Sequence, residues 1–118
     1  MTNFGSEILI EDQDEKEVWE KIDQLVKQQE VVAFVKGDSI LPQCGFSARS
    51  MQILNLCQKP YKTVNVLKNG VVREAIKKYS DWPTIPQIYY KGEFLGGSDI
   101  LMELYENGEL QKKFDVRS

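Results

Sequence analysis

Five consecutive apolar residues, Val31 to Val35, restrict the possible folds more than any other stretch of the sequence. A continuous apolar run of this length is typical of a strand that is buried on both faces. Segments with helical spacing lie on both sides of it, and strands that are separated by helices pair in parallel. The run therefore predicts an α/β fold in which helices cover both faces of a sheet.

Five helices are predicted from apolar residues that recur at intervals of three and four. The first begins at a capping box, Asp14 to Glu17, and the second begins at Cys44 and ends before Pro60. The fourth opens within Gly96-Gly97-Ser98-Asp99, and a short fifth follows Gly108. The apolar faces consist of Val18, Ile22, Leu25 and Val26; Ser50, Ile53, Leu54 and Cys57; Val72, Ala75, Ile76 and Tyr79; and Ile100, Leu101, Leu104 and Tyr105.

Three further strands are predicted at residues 61–66, 87–90 and 93–95, the last two joined by the tight turn Lys91-Gly92. The predicted order is α-β-α-β-α-β-β-α-α, which gives a parallel sheet with an antiparallel edge. Residues 1–13 are interpreted as a flexible acidic arm, and residues 14–118 as one domain.

Composition excludes several classes of function. The net charge is −3 without a basic block, so no nucleic-acid partner is expected. No apolar run approaches the roughly 20 residues of a membrane span, so no membrane partner is expected. The N-terminus lacks an apolar signal region, which favours a cytoplasmic location: a bacterial cytosol, or a mitochondrial or plastid matrix after removal of a transit peptide. The chain has no histidine, which removes Cys-His catalysis and most zinc sites.

Cys44 lies at the carboxyl end of the first predicted strand and at the start of a helix, where open α/β sheets place their sites. The N–H groups of the helix start and the charge of Lys36 would both stabilise a thiolate there. The alternative is a small buried hydrophobic residue, but the glycine- and proline-containing loop around Cys44 favours a reactive thiol.

Cys57 is too far from Cys44 to form a disulfide with it. Thirteen residues of helix separate the two by about 20 Å, whereas a disulfide needs Cα atoms within about 7 Å of each other. Since Cys57 also falls on the apolar face of its helix, a structural role is predicted.

Three motifs occur in order along this layout: Cys44-Gly45-Phe46-Ser47, Trp82-Pro83-Thr84-Ile85-Pro86 and Gly96-Gly97-Ser98-Asp99. Together with Lys36-Gly37 they resemble the monothiol glutaredoxins of the thioredoxin superfamily, from about Lys16 to Leu110. The resemblance implies an α/β thioredoxin-like (glutaredoxin) fold, with a four-stranded mixed sheet flanked by helices.

The resemblance also implies a glutathione-binding groove. Lys36 and Arg73 would hold the glycine carboxylate, Phe46 would form an apolar wall, and Thr84-Ile85-Pro86, with a cis proline, would pair with the cysteinyl backbone. The helix start at Gly97 and Ser98 would receive the γ-glutamyl carboxylate, and Asp99 its ammonium. From the sequence alone, Arg73 could equally be a solvated surface residue, and Ser98 or Asp99 a plain N-cap; Trp82 is expected mainly to pack.

A [2Fe–2S] cluster needs four ligands, and within this family resemblance Cys44 is the one metal ligand that each chain offers. Two chains and two glutathione molecules would complete the set. The main hypothesis is therefore a monothiol glutaredoxin that carries a [2Fe–2S] cluster to apo-proteins, as a homodimer when the cluster is bound and a monomer when it is not. A BolA-like protein and apo iron–sulfur acceptors are possible further partners.

Two other functions stay open. Cys44 alone suffices for a glutathione-dependent thiol–disulfide oxidoreductase that removes glutathione from mixed disulfides. The loop at residues 36–43, longer than in dithiol relatives, is expected to leave such turnover weak or absent. The third possibility is a redox adaptor that senses the state of glutathione and binds a regulator.

Overall fold

The central strand of the sheet is β2 (Val31–Val35), and all five of its residues are buried. The computed structural model describes residues 4–11 and 13–115. The remaining elements are β1 (Gly5–Glu7), α1 (Glu15–Gln28), α2 (Gly45–Leu56), β3 (Tyr61–Asn65), α3 (Gly70–Ser80), β4 (Gln87–Tyr90), β5 (Glu93–Gly96), α4 (Ser98–Glu106) and α5 (Glu109–Lys113). The α/β thioredoxin-like fold is confirmed.

The sheet has the strand order β1-β3-β2-β4-β5. Strands β1, β3 and β2 are parallel, whereas β4 is antiparallel to β2 and β5 is antiparallel to β4. The prediction of four strands is wrong by one, because Gly5–Glu7 within the predicted arm pairs with β3. Three residues without apolar alternation give no strand signal in a sequence. The boundary between arm and domain stays a prediction.

A separate apolar core covers each face of the sheet. Helices α1 and α3 pack on one face through Val18, Ile22, Val72 and Ile76, among others. Helices α2, α4 and α5 cover the other face through a second set that includes Leu54, Leu101 and Leu110. The predicted cap of α1 is present, since the Asp14 carboxylate accepts the Glu17 N–H at 2.9 Å. No helix in the described residues is long and apolar enough to cross a membrane.

Candidate functional site

One groove, of about 610 Å³, brings together every site residue that the sequence predicted. It lies where the end of β2, the start of α2, one side of α3, the segment before β4 and the start of α4 meet. The predicted residues that line it are Lys36, Cys44, Phe46, Arg73, Thr84, Ile85, Pro86, Gly97, Ser98 and Asp99. Lys77, Pro83 and Ile100 also line it and had not been predicted, and Trp82 belongs to the lining as well.

Cys44 is the N-cap residue of α2, and its backbone is extended. The side chain is partly exposed. Burial of the sulfur opposes ionisation, but the N–H groups of Ser47 and Phe46, the Ser47 hydroxyl and the charge of Lys36 together lower the pKa of the Cys44 thiol below its ordinary value. The Cys44 sulfur therefore occupies the N-cap position, where a serine, threonine or aspartate oxygen usually lies, and a thiolate is favoured there.

The loop between β2 and Cys44 is held by its own hydrogen bonds. One oxygen of Asp38 accepts the N–H groups of Ile40 and Leu41 at 2.8 and 2.7 Å. Gly37 donates to the side-chain oxygen of Asn65 at 3.0 Å and forms a bridge with Pro42. Its φ of +93° is a conformation that glycine adopts without strain. The tip presents Ile40 and Leu41 to solvent, at 86% and 65% exposure.

The segment Trp82–Pro86 lines the same groove as Cys44, and its Ile85–Pro86 peptide bond is cis, as the resemblance implied. Gln87, which is fully buried, holds the segment by donating its side-chain amide to the carbonyl oxygens of Trp82 (3.0 Å) and Thr84 (3.2 Å). Sequence reasoning missed this residue. A polar residue directly after the proline of an otherwise apolar strand was the available signal.

The start of helix α4 lines the groove beside Pro86. Its N-cap is Gly97, so the prediction of Ser98 or Asp99 as the cap residue is wrong: both are helical. No side chain caps the helix, which leaves its first N–H groups for water or a ligand. A Cβ at position 97 would lie 3.3 Å from the Pro86 carbonyl oxygen, so the absent side chain allows the helix start to approach the cis-proline segment closely.

Three cationic side chains line the groove. Lys36 comes from the end of β2, and Arg73 and Lys77 come from α3, where they are one turn apart. Arg73 is exposed, and Lys77 lies 3.9 Å from the carboxylate of Glu74. The spacing of four residues from Arg73 was the signal that could have identified Lys77. The lining of the groove thus combines three cations with the uncapped helix start that carries Asp99.

Cys57 lies outside the groove, at the carboxyl end of α2, and is only 2% exposed. Burial raises the pKa of its thiol. The prediction of a structural role fits both observations. In the described ranges, no group of three or more histidine, cysteine, aspartate or glutamate side chains is placed to hold a metal ion.

Comparison with known proteins agrees with this geometry. A model of the glutaredoxin family matches residues 31–95. The monothiol glutaredoxin ycf64-like protein of Synechocystis sp. is 54% identical over 81% of this chain and 90% of its own length. Monothiol glutaredoxin-5, mitochondrial, of Schizosaccharomyces pombe is 50% identical over 77% of this chain and 64% of its own length.

Among solved structures, the solution structure of reduced poplar apo GrxS14 superposes with a TM-score of 0.72. It is 46% identical in sequence, with 81% of this chain and 88% of that chain covered. The chain therefore belongs to the glutaredoxin family, among its monothiol members.

Proposed function

We propose that this glutaredoxin binds glutathione in the groove beside Cys44 and uses it to carry a [2Fe–2S] cluster, shared between two copies of the chain, to apo-proteins. The observation that supports the proposal most is the partly exposed Cys44 with its lowered thiol pKa, in a groove that is also lined by three cationic side chains and a helix N-terminus.

The charges of the groove suit glutathione, a tripeptide with a carboxylate at each end and one ammonium group. Lys36 and Arg73, with Lys77 beside them, would hold the glycine carboxylate, because a guanidinium and an ammonium form strong charge-assisted bonds. The N–H groups at the start of α4 would hold the γ-glutamyl carboxylate, and Asp99 the neighbouring ammonium. Between them, the backbone of Ile85 would pair with the cysteinyl residue.

The donor set of one chain is one accessible thiolate, since Cys57 is buried. A cluster with four sulfur ligands therefore requires two copies of Cys44 and two glutathione thiols. Phe46, which is 58% exposed at the edge of the groove, would then approach the other copy. The cluster is cargo here, and the protein contributes a thiolate and a glutathione site. A BolA-like protein in place of one copy, and apo iron–sulfur acceptors, stay predictions.

A second function is favoured by the same lowered thiol pKa of Cys44. The Cys44 thiolate would attack a protein–glutathione disulfide, forming a Cys44–glutathione bond and releasing the protein thiolate. A second glutathione thiolate would then attack that bond, releasing oxidised glutathione and restoring Cys44. The ordered loop that Asp38 holds beside Cys44 is expected to leave this turnover slow.

Reconstitution without oxygen separates the two functions. The protein, treated with iron, sulfide and glutathione, should become brown and dimeric, and a chelator should return a colourless monomer. Cys44→Ser should abolish iron and sulfide binding, whereas the matched variant Cys57→Ser should keep both. Retention of iron and sulfide by Cys44→Ser would refute the proposed ligation. Fast glutathione-linked turnover, with no bound iron in the unmodified protein, would establish the oxidoreductase instead.

A further inference from the structure

Five aromatic side chains form a continuous chain of ring contacts from the groove to the surface of α1. The chain begins at Trp82, which lines the groove, and passes to Phe94 with the ring centroids 5.9 Å apart. Phe94 contacts Tyr89 at 5.4 Å, and Tyr89 contacts Tyr79 at 5.9 Å. Tyr79 then meets Trp19 of α1 edge-on at 5.0 Å. All of these spacings lie within the range of direct ring contact.

Both ends of this aromatic chain reach solvent, whereas its middle is buried. Trp19 and Trp82 are each 42% exposed, and Tyr89 is 2% exposed. Core packing explains a buried tyrosine, but it gives no reason for an exposed tryptophan at each end. Tryptophan and tyrosine are, with cysteine, the side chains that give up a single electron most readily. The contacts between their rings therefore offer a path for an electron between the groove and the surface.

Tyr79 has the partner that a tyrosine needs in order to lose an electron. An oxidised phenol is a strong acid, so the electron leaves readily where a base takes the proton. The Tyr79 hydroxyl donates to one carboxylate oxygen of Asp23 at 2.7 Å, within reach for proton transfer. The Tyr89 hydroxyl instead donates at 3.3 Å to the side-chain oxygen of Gln87, and an amide oxygen is a weak base. Tyr79 is therefore the ring at which an electron and a proton can leave together.

We propose that the aromatic chain from Trp82 to Trp19 is an electron relay that reduces one-electron oxidants in the groove and so spares the Cys44 thiolate. The oxidant is a small radical anion, such as the carbonate radical, which gains one electron and becomes carbonate. Tyr79 loses that electron, and its phenolic proton passes to Asp23, which leaves a neutral tyrosyl radical. A soluble reductant such as ascorbate then donates one electron at Trp19, and the proton returns from Asp23 to Tyr79.

The groove suits an oxidant of this class. Lys36, Arg73 and Lys77 line it, and a surface of one sign of charge raises the local concentration of small ions of the opposite sign. Trp82 lines the same groove and is the first ring of the chain that such an oxidant meets. Phe94 gives up an electron far less readily than tryptophan, so its ring serves as the contact between Trp82 and the tyrosines. The relay goes beyond the proposed function and needs neither glutathione nor a cluster.

A photo-oxidant attached at Cys44 tests the relay in the full chain, without iron or glutathione. A ruthenium polypyridyl iodoacetamide should label Cys44, which is partly exposed, and leave the buried Cys57 unlabelled. Flash oxidation of the ruthenium should produce a tyrosyl radical, detected by transient absorption and by electron paramagnetic resonance. The radical should form more slowly in heavy water, because the phenolic proton moves with the electron.

Two variants test the path while keeping the aromatic packing. Tyr79→Phe should remove the tyrosyl signal, and Tyr89→Phe should lower its yield. Tyr90→Phe is the matched control and should keep the full signal. Tyr90 lies beside Tyr89 on β4, but its ring contacts Phe114 and its hydroxyl donates to the Lys113 carbonyl oxygen at 2.9 Å.

An undiminished tyrosyl signal in Tyr79→Phe, or an equal loss of signal in Tyr90→Phe, would overturn the relay. The heavy-water measurement uses the native aromatic residues, so it decides the matter even where a variant fails to fold. Radical formation at the same rate in both solvents would contradict proton transfer from Tyr79 to Asp23. Because the ruthenium complex supplies the oxidant, each of these failures is distinct from a failure of glutathione or cluster binding.

Discussion

Replacing Gln87 with methionine should loosen the cis-proline segment of the groove while preserving the volume of the side chain. Gln87 makes three hydrogen bonds: two donated by its amide to the carbonyls of Trp82 and Thr84, and one that its oxygen accepts from the Tyr89 hydroxyl at 3.3 Å. Methionine can make none of them. The carbonyls of the segment would be left without this donor, and the Tyr89 hydroxyl without this acceptor.

The size of the effect follows from these three bonds. A typical intramolecular hydrogen bond contributes about 0.5–1.5 kcal/mol, so the loss lies in a range of roughly 1.5–4.5 kcal/mol. Trp82 and Thr84 are exposed residues whose carbonyls can gain water, which favours the lower half of that range. We expect a loss of about 2–3 kcal/mol in the free energy of unfolding. For a domain of this size the melting temperature should fall by roughly 4 °C for each kcal/mol.

Thermal unfolding followed by circular dichroism measures the stability, and calorimetric titration measures the affinity of the groove for glutathione. Thr63→Val is the control, because the Thr63 hydroxyl is buried and, among the described residues, has no hydrogen-bond partner. Its removal should be neutral or stabilising. Gln87→Met should also weaken glutathione binding at a temperature where the variant is folded. A Gln87→Met variant that is as stable as the unmodified protein, or no less stable than Thr63→Val, would refute the role assigned to Gln87 in holding the segment.

Three further predictions concern single residues. Arg73→Glu should weaken glutathione binding tenfold or more without lowering the melting temperature, because it reverses a charge worth about 1.5–3 kcal/mol in a charge-assisted bond. Lys112→Glu on α5 is the control. If calorimetry gives both variants the affinity of the unmodified protein, Arg73 is a solvated surface residue. Gly37→Ala should lower the melting temperature, because the new Cβ would lie 2.5 Å from the Leu41 carbonyl oxygen and the backbone φ is +93°. Gly70→Ala is the control and should be tolerated, because a Cβ there meets nothing within 4 Å. Cys57 should escape iodoacetamide in the folded protein, since burial raises the pKa of its thiol and shields it; labelling as fast as at Cys44 would show that α2 opens.

Elements with strong apolar spacing could be predicted from the sequence, and elements without it could not. Strand β2 is one continuous apolar run, and the buried face of α1 has the predicted Val18, Ile22, Leu25 and Val26. The cap of α4 was misplaced because Gly97, Ser98 and Asp99 all suit an N-cap, and only the backbone distinguishes them.

The candidate site shows the same contrast. Motif residues were identified in advance because their types and order resemble those of a family, and the groove brings them together. The long-range hydrogen bonds that hold them in place do not follow from the motifs. Gln87 acts through carbonyls that are three and five residues away, and Ser47 acts through a backbone N–H that lies eleven residues earlier. Such bonds depend on how the chain folds back on itself, which local spacing does not encode.

Strand β1 has a consequence for any shortened form of the protein. It covers the outer side of β3, where Phe4 accepts the N–H of Tyr61 and Thr63 accepts the N–H of Ile8. A chain that started at Glu15 would leave the outer edge of β3 unpaired, as an exposed sheet edge to which a strand from another molecule can add. It would also lose the Gly5 carbonyl, to which Ser39 of the loop before Cys44 donates. Removal of residues 1–14 would therefore favour self-association, and it would also remove one of the hydrogen bonds that hold that loop.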